Sequence, residues 1–167
     1  LVPHHRSTIL DFVPSVFKAL VRHLRDAQGD FSTARLAIIG GETMNPQDTK
    51  AFHALWPDVH LVNTYGATET SIGVLWHRVT GPVEGRIPIG RPFDNIVAVI
   101  VDRHGALLPQ GLAGKLWIGG ECMGLGYLGD AITTAEKFIA NPFPELGCDM
   151  LYRTGDLVAV REDGLID

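Results

Sequence analysis

Cysteine is scarce in this chain, and its scarcity excludes several classes of protein at once. Cys122 and Cys148 are the only two in 167 residues, too few for a disulfide framework and with no CxxC spacing for zinc or redox work. They read as packing residues in a reducing cytoplasm. Long apolar runs are also missing. None approaches the roughly 18–20 residues that cross a bilayer as a helix, so no membrane partner is expected. There is no block of lysine and arginine: 14 basic residues stand against 19 acidic, a formal net charge of −5, which disfavours a nucleic-acid surface. The start, Leu1-Val2-Pro3-His4-His5, has neither an initiator Met nor the plan of a signal peptide, and reads as part of something longer. Catalytic signatures are sparse too. Gly114-Lys115 is followed by Leu116, so there is no Walker A sequence, and neither GxSxG nor HExxH occurs. The histidines are scattered, which argues against a zinc site.

What is present is the material of a folded domain. Hydrophobic residues make up 46% and charged residues 20%, enough apolar surface to offset the entropy of ordering. The first half alternates strand-like and helix-like segments. Ser7 to Phe12 is β-prone, Pro14 suits a helix start, and Val16, Phe17, Leu20, Val21 and Leu24 recur at helical spacing up to Gly29, a plausible stop. Leu36 to Ile39 is a buried-strand run ending in Gly40-Gly41. Asn45-Pro46 opens a second helix closed by Pro57, and Val59 to Val62 is a third strand. This order predicts βαβ units and a parallel sheet. The texture changes beyond Gly85. Ile96–Val101, Lys115–Ile118 and Leu157–Val160 are strands between turns, interrupted by one helix for which Thr133 and Glu136 suggest a capping box. The expected fold is therefore α/β, with a parallel βαβ layer over residues 1–85 followed by a smaller antiparallel, barrel-like subdomain over residues 86–167.

Ligands of open parallel sheets gather at the carboxyl ends of the strands. Two segments lie there. Ile38-Ile39-Gly40-Gly41-Glu42 lets a flat ligand approach the backbone. Asn63-Thr64-Tyr65-Gly66-Ala67-Thr68-Glu69-Thr70 gathers an amide, an aromatic face, three hydroxyls and a carboxylate, a set suited to phosphate, a hard cation such as Mg²⁺ and an aromatic base. A polar surface turn with a satisfied Asn and Thr accounts for the same residues. Tyr152-Arg153-Thr154-Gly155-Asp156 offers a carboxylate for a ribose diol, though by itself it is an Asp in a tight turn. Gly124-Leu125-Gly126-Tyr127-Leu128-Gly129 matches GxGxxG literally, but it lies among antiparallel strands and the helix after it has its own cap. It is not read as a dinucleotide loop.

NTYGATE, GKLWIGGECMGLGYL and YRTGDL occur in that order and resemble successive core motifs of adenylate-forming enzymes, in particular the adenylation domains of nonribosomal peptide synthetases. Pro88-Ile89-Gly90-Arg91-Pro92, Thr134-Ala135-Glu136-Lys137-Phe138 and Asn141-Pro142-Phe143 extend the likeness over nearly the whole chain.

The resemblance implies an ATP-dependent ligase that joins a carboxylate to ATP, releases pyrophosphate, and passes the acyl group to the phosphopantetheine thiol of a peptidyl carrier protein in the biosynthesis of peptide antibiotics and other secondary metabolites. It implies ATP and Mg²⁺ as cofactors. Gly41 and Glu42 would border the adenine, with Asn63 at its edge and Tyr65 against its face. Thr68 would touch the α-phosphate, Glu69 would hold Mg²⁺, and Asp156 would bind the ribose. Ala67 stands where the family usually has Pro, a change expected to loosen the turn slightly. The amino-acid pocket would comprise Asp11, Ile38, Gly40, Thr64, Ile72 and Gly73. A carboxylate at Asp11 calls for a cationic partner, and Gly40 is read as leaving room for a long side chain. The implied substrate is thus a basic amino acid such as lysine, ornithine, β-lysine or arginine. Upstream partners in the family include a phosphate loop, and downstream ones a C-terminal subdomain with a catalytic lysine, so the 167 residues alone are expected to be inactive. The alternatives are an acyl- or aryl-CoA ligase of the same superfamily, or a non-catalytic excised subdomain.

Overall fold

The computed structural model describes residues 2, 4–26 and 30–167. They fall into two compact units, Leu1–Thr64 with Trp76–Ile89, and Tyr65–Leu75 with Gly90–Asp167. The halves expected from the sequence differ from these units in two places: residues 65–75 group with the later strands, and residues 86–89 with the earlier ones.

In the first unit, β1 (Ile9–Phe12), α1 (Pro14–Asp26), β2 (Leu36–Gly40), α2 (Pro46–Leu55) and β3 (His60–Tyr65) follow in turn, and β4 (Leu75–Val79) comes after the turn beyond β3. β1, β2 and β3 pair in parallel, with Asp11 opposite Ile38 and Ile38 opposite Val62. Strand alternation then sorts the side chains. Leu10, Ala37, Ile39 and Leu61 face the helices and form one core with Phe17, Val21 and Phe52. The Phe17 and Phe52 rings sit 5.3 Å apart, and Trp56 packs 5.4 Å from Phe52, spacings at which tilted aromatic pairs are favourable.

The helix starts follow the chemistry read from the sequence. Pro14 opens α1, where its missing N–H costs nothing. Asn45 caps α2 by accepting the Gln47 N–H at 2.8 Å, with Pro46 at the first helical position. The stop assigned to Gly29 lies outside the described residues. Two expectations change. β3 runs on to Tyr65, so the first three residues of the candidate loop are strand, and β4 is a strand not expected above, although Trp76 and Val79 are strand-forming residues.

The second unit holds β5 (Arg91–Pro92), β6 (Ile96–Val101), β7 (Ala113–Gly120), α3 (Ala131–Lys137), β8 (Phe138–Ala140) and β9 (Met150–Ala159). Its sheet has the order β6-β7-β9-β8, antiparallel throughout. Val101, Trp117 and Leu151 form a core on one face. The cap of α3 is Asp130 rather than Thr133: its carboxylate accepts the Thr133 N–H at 2.9 Å and the Thr133 hydroxyl at 2.6 Å. A carboxylate three residues upstream satisfies the orphan donor at the third helical position, so the helix starts earlier. Cys122 and Cys148 are free and partly buried, and burial raises both thiols above their usual range. No helix among the described residues is long and apolar enough to cross a membrane.

Candidate functional site

The candidate residues divide between the two units. In the first, register places Asp11, Ile38, Gly40 and Thr64 on one face of the parallel sheet, because Asp11 pairs with Ile38 and Gly40 with Thr64. It is the face turned away from the core described above. Asp11 is exposed there and Ile38 half-buried; Asp11, Gly40 and Thr64 lie toward the carboxyl ends of their strands, and Ile38 at the middle of β2. Gly40 is a correction. A Cβ on it would collide with the Thr64 hydroxyl and lie 2.9 Å from the Thr64 carbonyl oxygen. Close packing of β2 on β3 therefore requires this glycine, and the space beside it is filled by Thr64.

Two further residues of this unit are anchored. The Glu42 carboxylate accepts the Ser15 N–H and the Ser15 hydroxyl, both at 3.1 Å. This ties the Gly40-Gly41-Glu42 bend to the first turn of α1, where the helix dipole favours an anion. Asn63 is 4% exposed and its Nδ2 donates to the Pro88 carbonyl at 2.7 Å, so its side chain is the satisfied Asn of the simpler reading.

In the second unit the chain leaves Tyr65 through a tight turn. A short 3₁₀ turn spans Thr68–Thr70. Ala67 N–H donates to the Thr70 hydroxyl at 3.2 Å, and that hydroxyl donates to the Ala67 carbonyl at 3.2 Å. Ala67 thus does more than loosen the turn, since proline has no N–H to give. Thr70 is buried in this role, while Thr68 stays exposed. Ser71 and Ile72 both have left-handed backbones, φ 60° and 74°, a costly conformation for β-branched Ile72, about 1–3 kcal/mol. Ile72 is 79% exposed, and the position of Gly73 is open, with no atom within 4 Å of where a Cβ would stand.

Asp156 comes to this turn from far along the chain. β7 and β9 pair as Lys115 with Leu157 and Trp117 with Arg153, leaving Thr154-Gly155-Asp156 opposite Leu116 alone. This is a bulge, a device that re-aims side chains at sites. Gly155 takes φ 92° there. The Thr154 hydroxyl donates to Leu116 O at 2.9 Å and accepts Asp156 N–H at 3.0 Å, and Lys115 Nζ donates to Gly155 O at 2.6 Å. The result presents the Asp156 carboxylate to Tyr65, whose hydroxyl donates to Oδ2 at 2.5 Å. Burial, reinforced by Asp156, raises the Tyr65 phenol far above its usual range, so it remains a donor.

Glu69 is held from the other side. The Tyr127 hydroxyl donates to its Oε1 at 2.5 Å. That bond is the main reason its carboxyl lies below the usual range, with Tyr152 and Lys137 adding to it. Gly124 N–H donates to the Glu69 carbonyl at 2.8 Å and the Ser71 hydroxyl to the Cys122 carbonyl at 3.0 Å. The Gly124–Gly129 segment therefore lies along the turn and, as expected, does not open a helix directly after a strand. Tyr127 and Tyr152 join the site without having been singled out by the sequence. The first sits inside the GxGxxG match and the second inside YRTGD, so the only available signal is membership of a motif. Among the described residues no cluster of three or more His, Cys, Asp or Glu could cage a metal. The single Glu69 carboxylate, partly exposed, fits instead a cation completed by nucleotide phosphates, the usual habit of Mg²⁺.

The sequence model of a family described as AMP-binding enzyme matches residues 1–128. Tyrocidine synthase 2 of Brevibacillus parabrevis is 38% identical over 93% of this chain and 4% of its own length. Bacitracin synthase 3 of Bacillus licheniformis is 37% identical over 96% of this chain and 3% of its own. Among solved structures, PA1221, an NRPS protein containing adenylation and PCP domains, is 27% identical with a TM-score of 0.91, over 99% of this chain and 29% of that one. The chain thus spans a small fraction of the length of these relatives.

Proposed function

From the premise that this chain belongs to the AMP-binding enzyme family, we propose that it is part of an amino-acid-activating adenylation domain of a nonribosomal peptide synthetase. The observation that carries this reading is the pair of held carboxylates in one unit, Asp156 against Tyr65 and Glu69 against Tyr127. One suits a ribose diol and the other a phosphate-bound cation.

In the proposed reaction a substrate carboxylate oxygen attacks the α-phosphorus of ATP, the bond to the β-phosphate oxygen breaks, and pyrophosphate leaves. ATP would supply the activated adenylyl group, and Mg²⁺ countercharge to the phosphates. Asp156 accepts hydrogen bonds from the ribose hydroxyls while Tyr65 lies along the base. Gly41 and Glu42 border the adenine, as does the position of Asn63. Thr68, an exposed residue, would donate to the α-phosphate, and Glu69 would offer a carboxylate oxygen to the cation. The acyl group then passes to a phosphopantetheine thiol on a peptidyl carrier protein, a partner suggested by the adenylation and PCP domains that PA1221 contains. The free, partly buried cysteines suit a reducing cytoplasm.

The residues proposed for the amino-acid pocket are Asp11, Ile38, Gly40 and Thr64 of the first unit and Ile72 and Gly73 of the second, and the proposed substrate is a basic amino acid that would pair with the exposed Asp11 carboxylate. With the space beside Gly40 filled by Thr64, Asp11 alone carries that preference. The remainder of the adenylation domain supplies the phosphate loop and the catalytic lysine, so the 167 residues by themselves form no adenylate. The test is amino-acid-dependent ATP–pyrophosphate exchange by the full-length parent protein across basic, aliphatic, aromatic and hydroxy amino acids. Exchange with a basic amino acid, lost selectively in Asp11→Ala, is the expected result. Exchange with another class discards the role of Asp11, and exchange with none favours an acyl- or aryl-CoA ligase.

A further inference from the structure

The GxGxxG-like segment has no place in the reaction as described, yet it makes close contact with that reaction's acidic residue. Tyr127, in the middle of it, donates its hydroxyl to Glu69 Oε1 at 2.5 Å, and Gly124 N–H takes the Glu69 carbonyl at 2.8 Å. The segment therefore grips Glu69 by both its main chain and its side chain. The Tyr127 ring is itself fixed, edge-on to Phe138 at 5.8 Å, and Phe138 packs on Tyr152 at 5.1 Å. Tyr152 is 5% exposed, and its hydroxyl bonds within the same Tyr127–Glu69 group.

A glutamate has three side-chain torsions, and a carboxylate free to rotate presents either oxygen, or both, to a cation. Here Oε1 is occupied by a phenol on a packed ring and Tyr152 also bonds the carboxylate, so the direction in which its oxygens face is held. Hydrogen bonds of this kind orient ligating carboxylates, and their loss typically weakens metal binding by about 10–100-fold. We infer that Tyr127 is a positioning residue that orients Glu69 for a divalent cation, and that the glycine-rich segment exists to deliver it. The inference rests on the reading of Glu69 as the cation ligand.

The test uses the full-length parent protein, with Mn²⁺ as the probe and a non-hydrolysable ATP analogue, so that binding is read by electron paramagnetic resonance without turnover. Tyr127→Phe keeps the ring against Phe138 and removes only the hydroxyl. It should raise the Mn²⁺ dissociation constant about tenfold, leave the KM for the amino acid unchanged, and recover exchange activity at high cation concentration. In a Glu69→Gln background the same change should add nothing. Mn²⁺ binding by Tyr127→Phe within about twofold of the native protein, while Glu69→Gln binds weakly, overturns the inference and spares the role of Glu69. Unaltered Mn²⁺ binding by Glu69→Gln overturns that role and the inference with it. If Tyr127→Phe fails to fold, Tyr152→Phe decides: weaker Mn²⁺ binding supports the inference, and unchanged binding overturns it.

Discussion

The two units hold their polar groups in place by different means. In the first, Asp11, Ile38, Gly40 and Thr64 share a face because parallel strands are in register; alternation alone puts them there. In the second, Tyr65 meets Asp156 across 91 residues and Glu69 meets Tyr127 across 58, and specific hydroxyl–carboxylate bonds make those meetings. The sheet face of the first unit places its residues by strand register and close packing, and the turn of the second places its carboxylates by side-chain hydrogen bonds. The first should therefore be sensitive to added volume and the second to deleted oxygen atoms.

The largest expected effect falls on the second unit. Asp156→Ala in the full-length parent should raise the ATP concentration needed for half-maximal exchange by about 10–100-fold, the worth of a charge-assisted hydrogen bond. Tyr65→Phe, which leaves the carboxylate in place, should cost less. Steady-state kinetics with varied ATP decides, and an Asp156→Ala enzyme with unaltered ATP dependence would remove the ribose role.

The first unit should respond to a methyl group instead. Gly40→Ala drives a Cβ into Thr64 and should lower stability by about 1–3 kcal/mol, read as a fall in the urea midpoint. Asp11→Ala, on the same face but exposed, should stay within about 0.5 kcal/mol. Equal effects from the two would mean that packing does not place these residues.

The same contrast explains which features are legible in the amino-acid sequence. Helix starts at Pro14 and Asn45, the βαβ order and the antiparallel second half rest on local chemistry and periodicity, which a sequence displays directly. The shared face of Asp11 and Ile38 follows from alternation once the strands are assigned. The role of Gly40 is not legible, because a glycine that admits a ligand and one that admits a neighbouring strand look alike in sequence; only the position of Thr64 separates them. The cap at Asp130 is hidden because Thr133 with Glu136 imitates a capping box. Tyr127 and Tyr152 show in the sequence only as members of motifs, since nothing local records a partner 58 residues away.

The three tyrosines of the chain, Tyr65, Tyr127 and Tyr152, give the subtlest test of the comparison, because all of them report on the second unit. Each phenol is raised: Tyr65 and Tyr152 chiefly by burial, Tyr127 chiefly by its bond to Glu69. An unperturbed tyrosine titrates near pH 10. Below that pH, folded and unfolded chains hold the same phenolic protons and these groups add no pH dependence. Above it, the unfolded chain releases protons that the folded one keeps, so stability falls as pH rises. Alkaline titration of the 167-residue chain, followed by tyrosinate absorbance, should therefore show no tyrosine ionising at its ordinary pKa while the fold persists, then release of the phenolic protons together with unfolding. Single Tyr→Phe variants should each flatten the alkaline loss of stability by a small step. A tyrosine that titrates normally in the folded chain would show that its hydroxyl is not held, and would return that part of the second unit to placement by packing alone.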